Sequence, residues 1–349
     1  RVRMASPIEY FQDLEARGVP KARYVGELYF QAHRGTYTSQ ARTKKGNRKS
    51  ELALREAELW GAAALALAGE KYVYPTATLA EAWRTVLLNQ FHDILPGSSI
   101  HRVYEEAEAS YAEAIALANG AADAARAALV QADDAVTVFN SLSWPRRVLA
   151  QLPAGATAAA DVAGQPLPVQ VIGGQAWAEV TAPACGWTTV RGAKDEGRTT
   201  KDERRRANDE GRTTKDERRT TKDDEAAWAT TTSLENERLK VVFNDRGEIT
   251  SIWDKEADRE LAAGPCNSLK MYKDVPGAWD AWDVDSMYAE TPVELPERAE
   301  ITVQAAGPLV AALHVTRTLH HSTLTQEISL RRGSRRVDFA TTIDWQESH

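Results

Sequence analysis

One stretch limits the fold more than any other. From Lys44 to about Ala132, Ala, Leu and Glu dominate and chain breakers are few, a composition that suits helices and suits strands badly. Three helices are expected, at about 46–69, 78–93 and 100–132. Leu52, Ala53, Glu56, Leu59, Trp60 and Ala63 recur at helical spacing in the first, and Val103, Ala107, Tyr111, Ala114, Ile115 and Ala118 in the third. "GEKYVYP" separates the first two. Their apolar stripes fit a helical bundle with the stripes turned inward, and Trp60 and Trp83 are assigned to its core. After about Val136 the pattern changes. "VTVFNSLSWPRRVLAQLP", in which Trp144 is also assigned to core, and "LPVQVIGGQAWAEV" are β-type runs. "RLKVVFNDRGEITSIWD" reads as a hairpin turning at Asn244-Asp245-Arg246-Gly247. The long run from Ile301 to Trp345 adds further strands, so a helical block is followed by an antiparallel β region of sandwich type.

Upstream of the helical block the pattern is mixed. "SPIEYFQDLEARG" predicts a short helix, with Ser6 as cap, Pro7 in the first turn and Gly18 at the end. "RYVGELYFQAHRGTYTSQ" alternates aromatic and polar residues like a strand that enters a loop at Gly35. One segment fits neither style. "DEGRTTKDERR" at 195–205 recurs at 209–219, and residues 194–225 hold 11 Lys/Arg and 11 Asp/Glu with Ala207 as the single apolar residue. Such a segment has nothing to bury, so it reads as a charged low-complexity insertion in the β region.

Bulk properties exclude several function classes. A net charge of −7 offers no electrostatic grip on nucleic acid. The two cysteines, Cys185 and Cys266, make no disulfide framework and fit a reducing cytoplasm. No apolar run approaches the roughly 18–20 residues that span a bilayer, so no membrane partner is expected. The chain opens on Arg1 and stops at "DWQESH"; both ends read as cuts in a longer protein, which leaves secretion open. Of the seven histidines none forms H-x-x-x-H, and there is no C-x-x-C, so a self-contained zinc site is not expected. Dinucleotide, phosphate-loop and nucleophile-elbow motifs are also missing.

Polar clustering remains at two places. One runs from Glu27 to Gln40, rich in acid, His, Arg and Tyr at a strand end. The other is His92-Asp93, where "ILPGSS" must break the helix. Residue type alone leaves His92 open between a site residue and a histidine at the edge of a core.

"GELYFQAHRGTYTSQARTKKGNRKSE" followed by "LLNQFHDILPGSSI" resembles the α-mannosidases of glycoside hydrolase family 38, in their bacterial and cytosolic branch. "VFNSLSWPR", "LENERLKVVFNDRGEITSIWDKEADREL", "DAWDVD" and "DWQESH" extend the resemblance, in order, over nearly the whole chain outside the insertion. The resemblance implies a multidomain α+β fold. Residues 1–43 would be the tail of an α/β catalytic domain, 44–133 a three-helix bundle (the mannosidase middle domain), and 134–349 part of the antiparallel β-sandwich-type C-terminal domain, with the insertion at 194–225. It also implies a zinc-dependent, retaining glycosidase acting on terminal α-mannosyl residues of oligosaccharides, with one carboxylate as nucleophile and another as acid and base.

Residue by residue, His92 matches a zinc ligand and Asp93 the carboxylate that holds sugar hydroxyls. Glu27, eight residues before Gly35, matches the general acid, although it could equally pair with Arg34 or Arg48. The usual acid at position 31 is Gln31 here. His33 and Tyr37 would line the same pocket or support its loop. In "WDAWDVD", Trp279 and Asp283 would stack on and hydrogen-bond a sugar, or Trp279 would anchor the loop in the sandwich. His320 and His321 lie in a strand-like run and receive no role. The family's H-x-D motif and nucleophile segment have no match in these residues, so the other Zn2+ ligands are expected upstream. The isolated chain is therefore expected to be inactive. The rival reading is a non-catalytic carbohydrate-binding or scaffold module, and a related hydrolase acting on another sugar is a third. Dimers and tetramers of relatives make a homo-oligomer one option, but no interface signal stands out.

Overall fold

The computed structural model describes residues 3–18, 21–26, 31–130, 135–193 and 226–347. Glu27 and the charged insertion at 194–225 lie outside the described residues. An α-helical region is followed by several antiparallel β-sheets, a multidomain α+β arrangement.

Helix α1 (Pro7–Ala16) starts as its sequence predicts: Ser6 and Glu9 exchange side-chain-to-backbone bonds in a capping box, and Pro7 occupies the first position. The alternating segment after it differs from expectation. Residues 22–25 have no regular structure, and Gln31–Tyr37 is a 3₁₀ segment broken at His33. A strand needs a neighbour for its N–H and C=O groups, and among the described residues no strand pairs with this segment.

Helices α2 (Ala41–Ala68), α3 (Thr76–Asn89) and α4 (His101–Leu129) share one core. Leu54, Ala57, Leu79, Ala82, Val86, Ala107, Tyr111, Ala114 and Ala118 fill it. Its many alanines leave little side-chain bulk between the helix backbones. In α2 the buried face runs through Ala53, Leu54, Ala57, Trp60 and Ala64, while Leu52 points outward, 41% exposed. Helix α3 stops four residues before the expected end. Asn89 turns its amide back to the Thr85 carbonyl (3.0 Å) and across to Ser110 Oγ (2.9 Å), and Gln90 donates to Asn47 Oδ1 (2.9 Å) on α2. Side chains thus finish the helix, and His92 falls in the turn that follows it.

Strands β1 (Val136–Asn140), β2 (Arg146–Gln151), β3 (Ala158–Ala160), β4 (Pro166–Leu167), β5 (Val169–Ile172), β6 (Gln175–Ala182) and β7 (Gly186–Ala193) form two antiparallel sheets, ordered β1-β7-β3-β4 and β2-β6-β5. Ala150, Leu152, Ala178, Val180 and Val190 from both sheets meet in a shared core. Trp60 joins this block to the helices, its ring 5.0 Å from Phe139 and 6.4 Å from Trp187. Trp83 is half-buried against the helical core. Trp144 is not core: it is 57% exposed. Asn140 Nδ2 donates to its carbonyl (2.8 Å) in the turn between β1 and β2, which fixes the backbone and leaves the ring outside.

The second β block holds β8 (Trp228–Thr230), β9 (Ser233–Glu235), β10 (Leu239–Phe243), β11 (Ile249–Asp254), β12 (Arg259–Glu260), β13 (Met271–Tyr272), β14 (Pro292–Val293), β15 (Glu300–Ala306), β16 (Val310–Leu319), β17 (Ser322–Arg331) and β18 (Val337–Asp344). Sheets β12-β11-β10-β9-β8 and β15-β16-β17-β18 share a core of Leu234, Val241, Phe243, Leu313, Val315, Ile328 and others. The hairpin β10–β11 turns at Asn244–Gly247 as its sequence indicates, with Gly247 N donating to Asn244 O (3.0 Å). Strands β13 and β14 make a separate two-stranded ribbon from which the segment 273–291 emerges. The two β blocks are joined by Gln170, 5% exposed, whose Oε1 accepts from Leu309 N and Val310 N (both 2.8 Å) while Nε2 donates to Val310 O (3.0 Å). Both cysteines are free, and among the described residues no helix is long and apolar enough to cross a membrane.

Candidate active site

Three segments far apart in sequence converge on Ser39. The first is its own, running from the 3₁₀ segment into α2. The second is the turn at 91–97 after α3. The third is the loop at 279–285 from the second β block. Ser39 Oγ donates to Gly35 O (2.9 Å) within its own segment and lies 3.0 Å from Ala281 O in the third. Lys44, in the first turn of α2, donates to Ser39 O (2.5 Å), Leu95 O (2.9 Å) and Pro96 O (3.1 Å). One ammonium thereby satisfies three carbonyls from two segments, and burial pulls the Lys44 pKa down.

Two glycines make the approach possible. A Cβ on Gly35 would lie 2.9 Å from the Trp282 carbonyl carbon, where Gly35 N donates to Trp282 O (2.8 Å). Gly97 has φ +98°, and a Cβ there would meet Ser39 Cβ and O at 2.8 Å. The "PG" that ends the helical pattern is thus also a close backbone contact.

His92 and Asp93 project from the second segment. The His92 side chain is 76% exposed, its ring beside Phe91 (centroids 4.3 Å apart) and its Nε2 3.5 Å from Asp93 Oδ2. Asp93 is tied by its backbone rather than its carboxylate: Ser99 Oγ donates to its carbonyl at 2.7 Å. Among the described residues the carboxylate receives, besides the His92 contact, a long bond from Ser98 Oγ, 3.4 Å to Oδ1. Asp93 therefore keeps most of its acceptor capacity for an incoming donor such as a hydroxyl.

In the third segment, Trp279 adopts φ +63° and its carbonyl accepts from Trp282 N (2.7 Å) and Asp283 N (2.9 Å), a tight turn that leaves the Trp279 ring 73% exposed. His33 lies against Trp282, ring centroids 4.9 Å apart, and Tyr37 is exposed. Arg34, Trp279, Asp283, Asp285 and Ser286 line a cleft of about 490 Å³. Asp283 Oδ1 is shielded from solvent and has no hydrogen-bond partner among the described residues. A large exposed aromatic face beside a carboxylate with spare acceptor capacity suits a polyhydroxylated ring: the face stacks and the oxygens accept.

The structure therefore brings the segments of His33, Tyr37, His92, Asp93, Trp279 and Asp283 to one place; Glu27 lies outside the described residues. Sequence reasoning missed Lys44, which reads as an ordinary solvated lysine of a helix. It also missed the cluster at the other end of the second β block, where His320 and His321 occupy the turn between β16 and β17 rather than a strand. His320 Nδ1 lies 2.8 Å from Glu347 Oε2, while His321 N and Ser322 Oγ each donate to Glu347 Oε1 at 2.7 Å. Burial raises the Glu347 pKa, but these bonds outweigh it and hold the carboxyl at about 2. Among the described residues this is the one group of three donors close enough to share a metal ion. His92 and Asp93 supply two adjacent donors, too few for a zinc site of three or four protein ligands, so the described residues do not by themselves fit a zinc ion there.

Comparison with known proteins agrees with this layout. Residues 31–129 match the alpha mannosidase middle domain, and residues 234–349 match the glycosyl hydrolases family 38 C-terminal domain. Alpha-mannosidase 2C1 of Homo sapiens is 32% identical over the whole of this chain, and alpha-mannosidase G of Dictyostelium discoideum 27%. The chain spans 31% of the human protein's length and 34% of the Dictyostelium one. A family 38 glycosyl hydrolase structure from Enterococcus faecalis aligns with a TM-score of 0.65 at 16% identity, covering 98% of this chain and 47% of that one. Homology and fold together point to the family 38 α-mannosidases, with this chain covering their middle and C-terminal regions.

Proposed function

We propose that this chain is the sugar-binding and framing part of a retaining α-mannosidase that removes terminal α-mannosyl residues from oligosaccharides. The observation that carries the reading is the convergence of the 91–97 turn and the 279–285 loop on Ser39, because it gathers Asp93, Trp279 and Asp283 from two domains around one region. In this reading residues 1–43 are the tail of the catalytic domain, 44–133 the three-helix middle domain and 134–349 part of the sandwich-type C-terminal domain. The protein works in the cytoplasm, with neither nucleic acid nor membrane as partner, as a single chain or a homo-oligomer.

Each residue's task follows from its chemistry. Asp93 accepts two neighbouring sugar hydroxyls, one on each carboxylate oxygen. Trp279 covers an apolar face of the ring, Asp283 accepts a further hydroxyl, and His33 and Tyr37 border the same region. Glu27 delivers a proton to the leaving glycosidic oxygen and then takes one from the attacking water. Zinc, in such enzymes, supplies a Lewis acid that grips ring hydroxyls. His92 is of the right donor type, but a zinc ion there needs at least two more ligands.

Two measurements on the purified 349-residue chain test this. Methyl α-mannoside should bind saturably, read by tryptophan fluorescence, and Asp93→Ala should weaken it at least tenfold; a wild-type chain blind to the sugar overturns the assignment of Asp93 and Trp279. The same chain should hold no stoichiometric zinc and cleave no chromogenic α-mannoside, and cleavage would refute the division of labour. A second reading, a non-catalytic sugar-binding module, is favoured by the two-donor limit at His92. It predicts the same sugar binding, with no gain of hydrolysis when the chain is joined to a family 38 catalytic segment.

A further inference from the structure

Strand β16 carries an inward-facing row of Ala311, Leu313, Val315 and Arg317. The first three are fully buried in the second β block. The fourth position puts a guanidinium where the pattern calls for an apolar side chain, and Arg317 is 5% exposed. A buried charge costs several kcal/mol, on the order of magnitude seen for ions removed from water, unless it is paired and hydrogen-bonded.

Arg317 is neither well paired nor well bonded. Among the described residues its one hydrogen bond is a long contact, Nη1 to the Asn267 carbonyl at 3.4 Å, for a group with five N–H donors. The nearest carboxylate electrostatically is Glu248, itself 6% exposed, but it makes no ion pair with Arg317. Both Glu248 oxygens are already engaged: Oε2 accepts from Asn244 Nδ2 (2.9 Å) and Oε1 from Ser268 Oγ (2.7 Å). Those bonds hold the Glu248 pKa below its ordinary value, so it stays an anion fixed in place.

Arg317 lines a cavity. It measures about 310 Å³ and lies at the base of the β13–β14 ribbon. Lys270 and Arg246 line it with Arg317, against the one carboxylate of Glu248; Arg246 also reaches Glu297 (3.4 Å). Tyr272, Pro292, Leu295 and Pro296 give the remaining wall an apolar character. Three lining cations to one lining carboxylate, a buried guanidinium fork with one long hydrogen bond among the described residues and an apolar wall form a receptor for an anion larger than a bare ion.

We propose that this cavity binds a small organic oxyanion, a carboxylate or a phosphate carried on a compact, partly apolar body. Arg317 grips two oxygens of the anionic group with its fork, Lys270 and Arg246 close over it from the rim, and the body lies against Tyr272 and the two prolines. The site is separate from the sugar-binding region and does not depend on the mannosidase reading.

Calorimetric titration of the 349-residue chain with inorganic phosphate and, separately, with benzoate tests it, with sodium chloride at matched ionic strength as reference. Saturable one-to-one binding of at least one of the two is expected. Preference for phosphate identifies a phosphoryl ligand, and preference for benzoate a carboxylate one. Arg317→Lys keeps the charge but loses the fork and should weaken binding at least tenfold. Should that variant fail to fold, the double variant Lys270→Ala with Arg246→Ala, at exposed rim positions, decides instead and should weaken binding about as much. No saturable binding by the wild-type chain, or binding unchanged in the folded variant, overturns the proposal.

Discussion

The region around Ser39 and the cavity around Arg317 are built in opposite ways. Around Ser39 the backbone is locked and the chemistry faces out. Glycines, a serine and a lysine tie carbonyls and amides together, while His92, Trp279 and Tyr37 stand exposed. Around Arg317 the chemistry itself is locked in, with Arg317 and Glu248 buried at the base of the cavity and Lys270 and Arg246 at its rim. A site of the first kind keeps its frame when its functional side chains are removed. A site of the second kind sets stability against binding at the same residue.

The largest effect should come from the frame. Gly97→Ala places a Cβ against Ser39 at a backbone angle that L-residues avoid and should cost about 3 kcal/mol, read as a lower urea midpoint. Lys44→Met strands three carbonyls and should cost about 2–3 kcal/mol; a change below about 0.5 kcal/mol would mean that water replaces the ammonium. Arg317→Met should instead be neutral or stabilising by about 1 kcal/mol, since an apolar chain of similar length removes a poorly paired buried charge. It should do so while abolishing anion binding, and a strongly destabilised variant would break the contrast. His92→Ala should change stability by less than about 0.5 kcal/mol, because its side chain is 76% exposed.

The turn at His320–Ser322 gives a pH control outside both regions. Glu347 is held at about 2 against an ordinary 4.5. Its folded pKa is depressed, so its contribution to stability is complete above the unfolded value of 4.5 and is lost as pH falls through about 2. An NMR titration of the Glu347 carboxyl with a midpoint near 4.5 would contradict the bonding described for that turn.

Much of this was legible in the chain itself. Helical spacing revealed the long helices, because burial of one stripe repeats every three to four residues regardless of partner. The Asn244–Gly247 turn was legible because its backbone demands are local. The strand pattern read from Arg23 onward gives way to irregular backbone at 22–25 and a 3₁₀ segment at Gln31–Tyr37 among the described residues, because a strand is completed by neighbours that no local pattern reveals. The end of α3 was missed because Asn89 and Gln90 close it through Ser110 and Asn47, contacts made across space. His92-Asp93 stood out because a polar pair before Pro-Gly contradicts an apolar helix. That the loop at 279–285 meets Gly35 could not be read from either segment alone. Arg317 was visible in principle: it breaks the alternation of Leu313 and Val315, but a lone basic residue in a strand reads as an outward one until the register is known.

The joint made by Gln170 has a practical corollary. One side-chain amide there plays the part of a missing peptide group, bonding Leu309 and Val310 across the seam between the β blocks. Arg332 adds a second fastening by donating to Glu179 (2.5 Å). The covalent link between Ala193 and Ala226 is therefore not what keeps the halves together. If a protease site were placed between those two residues and cut, the nicked protein should elute from a sizing column as one particle, and Gln170→Ala should leave it as one particle but lower its urea midpoint.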